Sequence, residues 1–154
     1  MVKSVFDAHP SQTNLNGVLL KVAVLNDLYR TFLRAPFSMA QHILGISDFE
    51  RGVKEGNPSA VMEIAKWTHP ASTFEQVYIF ATKYCFFSNM EKYFIYDERV
   101  ANQVALLLFL SEEEQKKLLN YSYFSEKMNQ ILGQTNSPLT HAELDMYLWI
   151  RDKE

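Results

Sequence analysis

Two charged residues stand where apolar neighbours make them expensive. Lys83 lies in the run Phe80-Ala81-Thr82-Lys83-Tyr84-Cys85-Phe86-Phe87. An ammonium group costs free energy to desolvate, so a lysine in such a place either snorkels to solvent or loses its proton. In the second case its amine can act as a nucleophile. Asp97 follows the apolar triplet Phe94-Ile95-Tyr96. It has two readings that stay open side by side: a helix cap worth about 1 kcal/mol, or a carboxylate that stabilises positive charge during a reaction.

Other chemistry finds little support. The four histidines, His9, His42, His69 and His141, never fall three to five residues apart on one element, so no histidine-based metal motif forms, and neither a metal nor a cofactor is expected. The five glycines are scattered, which removes the common phosphate-cradling loops. Cys85 is the single cysteine, so no internal disulfide forms. Its aromatic setting suits a small core residue better than a thiolate.

The elements that must carry Lys83 and Asp97 read as helices throughout. Leu15, Val18, Leu19, Val22, Leu25, Tyr29, Phe32 and Leu33 repeat at helical spacing after a cap at Thr13 or Asn14, and predict one helix that runs until Pro36 halts it. Ser38 can cap a short helix, Asp48 begins another that ends at Gly56 and Asn57, and Pro58 opens the next. Ser72 or Thr73 then caps a nearly all-apolar helix to about Phe87, the most buried of the set. Residues 88–96 read as a hairpin before a helix capped by Asp97. Ser111 with Glu114 and Thr140 with Glu143 match capping boxes, Ser122 or Ser125 opens a helix stopped at Gly133, and Leu144, Tyr147, Leu148 and Ile150 face inward on the terminal helix. Trp67 and Trp149 fall on or beside inward stripes. The expected fold is therefore all-α: a compact bundle of about seven to nine helices with a central helix-hairpin-helix, one domain over residues 1–154, with residues 1–12 loosely packed.

Composition sets the outer bounds. With 47% apolar residues and 14% aromatics among 154, the chain can bury a substantial core. The longest unbroken apolar run is residues 104–110, far short of the roughly 20 a bilayer span needs, and no signal peptide is evident, so a cytoplasmic protein without membrane contact is expected. A net charge of −3 lacks the basic excess of most nucleic-acid binders, although a local basic face can coexist with it.

The order of an apolar helix bearing Lys83, a hairpin, and Phe94-Ile95-Tyr96-Asp97-Glu98-Arg99-Val100 resembles the helix-hairpin-helix DNA glycosylase superfamily, in particular its 8-oxoguanine glycosylase-like branch. The resemblance implies a partner, DNA, and an activity, base excision. Lys83 would then be the nucleophile and Asp97 the catalytic aspartate, with Phe86, Tyr93 and Tyr96 lining a pocket for an extruded base. A second resemblance, to uncharacterised bacterial proteins, spans about residues 26–149 through Phe80-Ala81-Thr82-Lys83-Tyr84-Cys85 and Leu144-Asp145-Met146-Tyr147-Leu148-Trp149 and implies a shared fold. The competing functional classes are a non-catalytic helical module that binds a protein partner and a bundle with an aromatic small-molecule pocket. The placement of Arg30, Arg34, Arg51, Lys54, Lys66, Lys83, Lys92 and Arg99 discriminates, because phosphate neutralisation supplies most non-specific affinity for nucleic acid.

Overall fold

The computed structural model describes residues 1–153, and among them it contains ten α-helices, one 3-10 helix and no strand. The helices are α1 (Val2–Ala8), α2 (Leu15–Leu28), α3 (Pro36–Leu44), α4 (Phe49–Glu55), α5 (Pro58–Ala65), α6 (Phe74–Ser88), α7 (Glu98–Leu107), α8 (Glu112–Lys116), α9 (Tyr121–Gln134) and α10 (His141–Arg151); the 3-10 turn Lys117–Leu119 extends α8. The all-helical expectation holds. None of these helices is long and apolar enough to cross a membrane.

Helix α6 runs through the middle. Thr73 closes a capping box with Gln76, and nine of the helix's side chains from Val77 to Phe87 are buried. It packs on α5, α2 and α1. The remaining helices add their apolar stripes around it, with Val18, Val22 and Leu25 of α2, Val61 and Ile64 of α5, and Leu144 and Leu148 of α10 all inaccessible. Asn14, Asn57, Asp97, Ser111, Asn120 and Thr140 each cap a helix with a side-chain oxygen.

Helix α2 stops at Leu28, earlier than its apolar spacing predicts. Asn26 is the cause: its Oδ1 accepts from the Leu33 N–H and the Thr31 hydroxyl, both at 2.8 Å, and its Nδ2 donates to the Leu33 carbonyl at 3.1 Å. This clamp folds the chain back in a tight loop. Arg30 and Phe32 take positive φ values of 47° and 57° there, a conformation costly for residues with side chains.

Three smaller differences remain, two of them set by capping. Pro36 starts α3 rather than ending its predecessor, because a proline loses nothing at a first-turn position. Asn120 caps α9 in place of Ser122 or Ser125, and the helix continues through Gly133. On α10, Tyr147 and Ile150 face solvent, leaving Leu144 and Leu148 as its inward stripe.

The N-terminal residues are packed, not loose. Val2 and Phe6 of α1 are buried, and the Phe6 ring meets Tyr84 at 5.3 Å and Phe87 at 5.8 Å. The physical reason is Lys21, which is fully buried on α2. Its Nζ donates to the Ser11 carbonyl and to Gln12 Oε1, each at 2.9 Å, and sits 5.6 Å from the rings of Phe6 and Tyr84. Burial pulls its pKa down to about 8, with Glu50 opposing. Residues 6–12 thus form the cap over a buried cation, taking up two of its three N–H donors and fixing the segment in place.

Between α6 and α7, where a hairpin was expected, the chain makes one turn at residues 89–92 and then runs extended over residues 93–97. Side chains hold both parts. Asn89 donates to the carbonyls of Val53 and Lys54, and the Tyr93 hydroxyl reaches those of Gly52 and Asn57, so the turn is fastened to the end of α4. Gly56 closes that end with φ of 74°, and a Cβ there would meet Lys92 Cβ at 2.8 Å. In the extended part the Phe94 N–H donates to the Tyr121 hydroxyl at 2.8 Å and the Tyr96 N–H to Thr82 Oγ1 at 3.1 Å. These bonds deliver Asp97 to the start of α7.

Candidate functional site

The loop after α2 and the start of α7 meet over the Gln76-Ile79-Lys83 face of α6 and border a cleft of about 330 Å³. Its lining includes Tyr29, Arg30, Phe32, Lys83, Asp97 and Trp149. The sequence-predicted pair is thereby brought to one cavity, Lys83 from α6 and Asp97 from the cap of α7. Asp97 does perform the capping role, accepting from the Val100 N–H at 2.9 Å through Oδ1.

Lys83 makes no hydrogen bond or salt bridge among the described residues. Its Nζ lies 5.2 Å from the centre of the Tyr29 ring. Burial lowers its pKa, while the nearby carboxylates of Asp97 and Asp145 act in the opposite sense. An amine in this setting sheds its proton more readily than a surface lysine.

Asp145 is the residue that sequence reasoning passed over as a possible actor. It projects from α10 toward the same two charges, and its buried Oδ1 has no hydrogen-bond partner. Burial first, and then repulsion from Asp97, push its carboxyl up to about 7, with Lys83 pulling against them. Near neutrality this group therefore carries an exchangeable proton, whereas an ordinary surface aspartate is fully ionised. One signal was available in the sequence: an aspartate immediately after the buried Leu144 on the terminal helix.

The three aromatic candidates lie elsewhere. Phe86 is buried against Phe87. Tyr93 is fully buried with its hydroxyl committed to two backbone carbonyls, and Tyr96 packs edge-on against Tyr78 and Phe124. All three belong to the core, and none lines the Lys83 cleft. Tyr29, Phe32 and Trp149 supply the aromatic walls in their place. Trp149 is 38% exposed, with the Arg99 guanidinium 5.0 Å and the Lys153 amine 3.4 Å from its ring centre.

Of the basic residues named above, Lys83, Arg30 and Arg99 line this cleft and Arg34 lines the groove adjoining it. Arg51, Lys54 and Lys66 lie elsewhere and are paired with Asp48, Glu50 and Glu63. Cys85 is completely buried and its thiol pKa is raised by that burial, which removes it from nucleophilic chemistry. Among the described residues no cluster of three or more His, Cys, Asp or Glu side chains is arranged to hold a metal ion.

Residues 1–92, covering α1 to α6 and hence Lys83, match the model of the HI_0787 N-terminal domain family, and the chain belongs to that family. An uncharacterised protein of Haemophilus influenzae is 33% identical over 147 residues, an alignment spanning 92% of this chain and 69% of the relative. The likeness to uncharacterised bacterial proteins is thus borne out, and neither match points to the glycosylase superfamily. No solved structure matches.

Proposed function

We propose that the Lys83 cleft excises a base from DNA, or recognises a modified one there. The observation that carries this reading is the meeting of a largely buried, unpaired lysine with Asp97 in one cleft, beside Asp145, whose charge acts on both and whose carboxyl is raised to about 7. Each group has a defined part. The neutral Lys83 amine attacks C1′ of the deoxyribose, and the N-glycosidic bond breaks with its electron pair leaving on the base. Asp145, in its acid form, supplies the proton that the departing base takes up. Asp97 faces the sugar and stabilises the positive charge that develops on it. Asp145, now ionised, takes a proton from the attached nitrogen; the lone pair so freed opens the C1′–O4′ bond, O4′ takes that proton back, and a protonated Schiff base to Lys83 remains.

Borohydride reduces that Schiff base to a stable secondary amine, which makes the reading testable. Wild-type protein should form a covalent adduct with DNA bearing an abasic site or a damaged base, and Lys83→Gln should form none. Asp97→Asn keeps the cap, because asparagine caps as well as aspartate, while it removes the charge, so trapping should slow with little change in melting temperature. Absence of an adduct from every lesion tested refutes the lysine nucleophile.

A second reading, a non-catalytic module that binds another protein, draws on a different surface. Leu106 and Phe109 at the end of α7 are 67% and 93% exposed, and Met146 and Ile150 of α10 are also uncovered. Such apolar exposure is common at binding surfaces. This reading gains if Lys83→Gln changes no activity on DNA.

A further inference from the structure

We propose that residues 29–34 form a platform for single-stranded DNA, with an unpaired base stacked on Phe32 and the flanking phosphates held by Arg30 and Arg34. The inference deepens the excision reading by naming what delivers the strand to the Lys83 cleft, and it rests on that reading for its purpose. The loop is built rather than slack. Asn26 makes three hydrogen bonds into it, and the side chains of Thr31 and Leu33 are buried beneath it. Those anchors hold Arg30 and Phe32 in the left-handed region and leave Phe32 62% exposed at the lip of the cleft. A bulky residue kept in a strained conformation by surrounding bonds, with its apolar face in water, is poorly explained by stability alone.

The arginines around it are uncommitted, and they share the two hollows with the carboxylates of Asp27, Asp97 and Glu98. Arg30, Arg34 and Arg99 make no salt bridge or side-chain hydrogen bond among the described residues, whereas Arg51 is paired with Asp48 and Arg151 donates to the Tyr147 hydroxyl. Arg30 and Phe32 line both the Lys83 cleft and the adjoining groove that ends at Arg34, so one continuous path joins them. An aromatic face between cations is the arrangement that binds unpaired bases irrespective of sequence. Single strands fit better than duplex. A chain with net charge −3 and three free arginines on this side cannot track both backbones of a double helix, but it can neutralise two or three phosphates of one strand.

The test uses the full chain carrying Lys83→Gln, which binds without reacting, and a fluorescent oligothymidylate of about 12 nucleotides, read by anisotropy. The affinity should fall with salt at a log–log slope of about −1.4 to −2, the value for two or three phosphates on a single strand. Phe32→Ala should weaken binding roughly 5- to 150-fold at unchanged slope. Arg30→Gln and Arg34→Gln should each reduce the slope by about 0.7. Phe32→Trp should retain binding, with its fluorescence quenched as the base stacks. The proposal is overturned if the oligonucleotide fails to bind at low salt, if Phe32→Ala binds like the parent, or if duplex of the same length binds equally well. Excision fails separately: an intact platform with no borohydride adduct removes the chemistry and keeps the binding surface, and an adduct with indifferent Phe32→Ala does the reverse.

Discussion

Replacing Tyr121 with phenylalanine tests whether the position of Asp97 depends on the two pins of the extended run. The substitution keeps the ring, which contacts Tyr93 and Phe124, and removes only the hydroxyl. That oxygen is the acceptor for the buried Phe94 N–H at 2.8 Å, the one hydrogen bond this amide makes among the described residues. An orphaned buried amide costs about 1–3 kcal/mol. For a chain of this size each kcal/mol moves the melting temperature by about 2–4 °C, so a fall of roughly 2–12 °C is expected by calorimetry. Tyr78→Phe is the matched control, because there a hydroxyl donor to the Leu118 carbonyl is lost and no N–H is stranded, so the cost should be smaller, about 0.5–1.5 kcal/mol. Thr82→Val strands the Tyr96 N–H in the same way. Combined with Tyr121→Phe it should show coupling, since the two freed amides lie two residues apart. If Tyr121→Phe melts like wild type, or no lower than Tyr78→Phe, the run is held by apolar packing and the hydrogen-bond argument is wrong.

Asp145 should leave a mark on stability against pH. Its folded-state pKa of about 7 lies above the ordinary 3.8, so the folded form prefers the neutral acid and stability falls as pH rises from about 4 through 7. Asp145→Asn cannot ionise, and its melting temperature minus that of wild type should grow over that window; a flat difference rules out the raised pKa. Trp67→Ala should cost roughly 3–5 kcal/mol, as for a buried aromatic whose indole N–H donates to Ser38 Oγ, while Trp149→Ala should cost about 1 kcal/mol, and denaturant titration that ranks them the other way would show Trp149 to be core. Cys85 should resist an aromatic disulfide reagent in the native protein and react once in denaturant; rapid native reaction would mean that α6 opens readily.

Helix existence was legible because caps and apolar spacing agree over most of the chain, as at Thr73, Ser111 and Thr140, where local hydrogen bonds and core burial favour the same boundaries. Lys83 and Asp97 were legible for the same reason: a charge among apolar neighbours is a local oddity. The misreadings share a different cause. Phe32 and Leu33 sit in phase with α2, and only the side chain of Asn26, bonding across five to seven residues, turns them out of it. Tyr93 and Tyr96 look like pocket aromatics from their position near Lys83, but their surroundings are set by α9 and the end of α4, whose contacts lie 28 to 41 residues away in sequence, and Phe86 turns into the core beside Phe87. Asp145 becomes informative only when α10 is folded back against α7, a contact no local pattern announces.

The cap over Lys21 also has a bearing on the order of assembly. Gln12 accepts from the Tyr84 hydroxyl across 72 positions of sequence, so the cage closes only when α6 exists. On a ribosome adding about 5–20 residues per second, the lysine waits some 3–13 s between its own emergence and that of Tyr84. During that interval α2 exposes an apolar stripe interrupted by a hydrated ammonium, which discourages nascent chains from pairing through this helix. A charge that is costly to bury in the finished fold thus stays hydrated on the earlier-made α2 until α6 arrives to cover it.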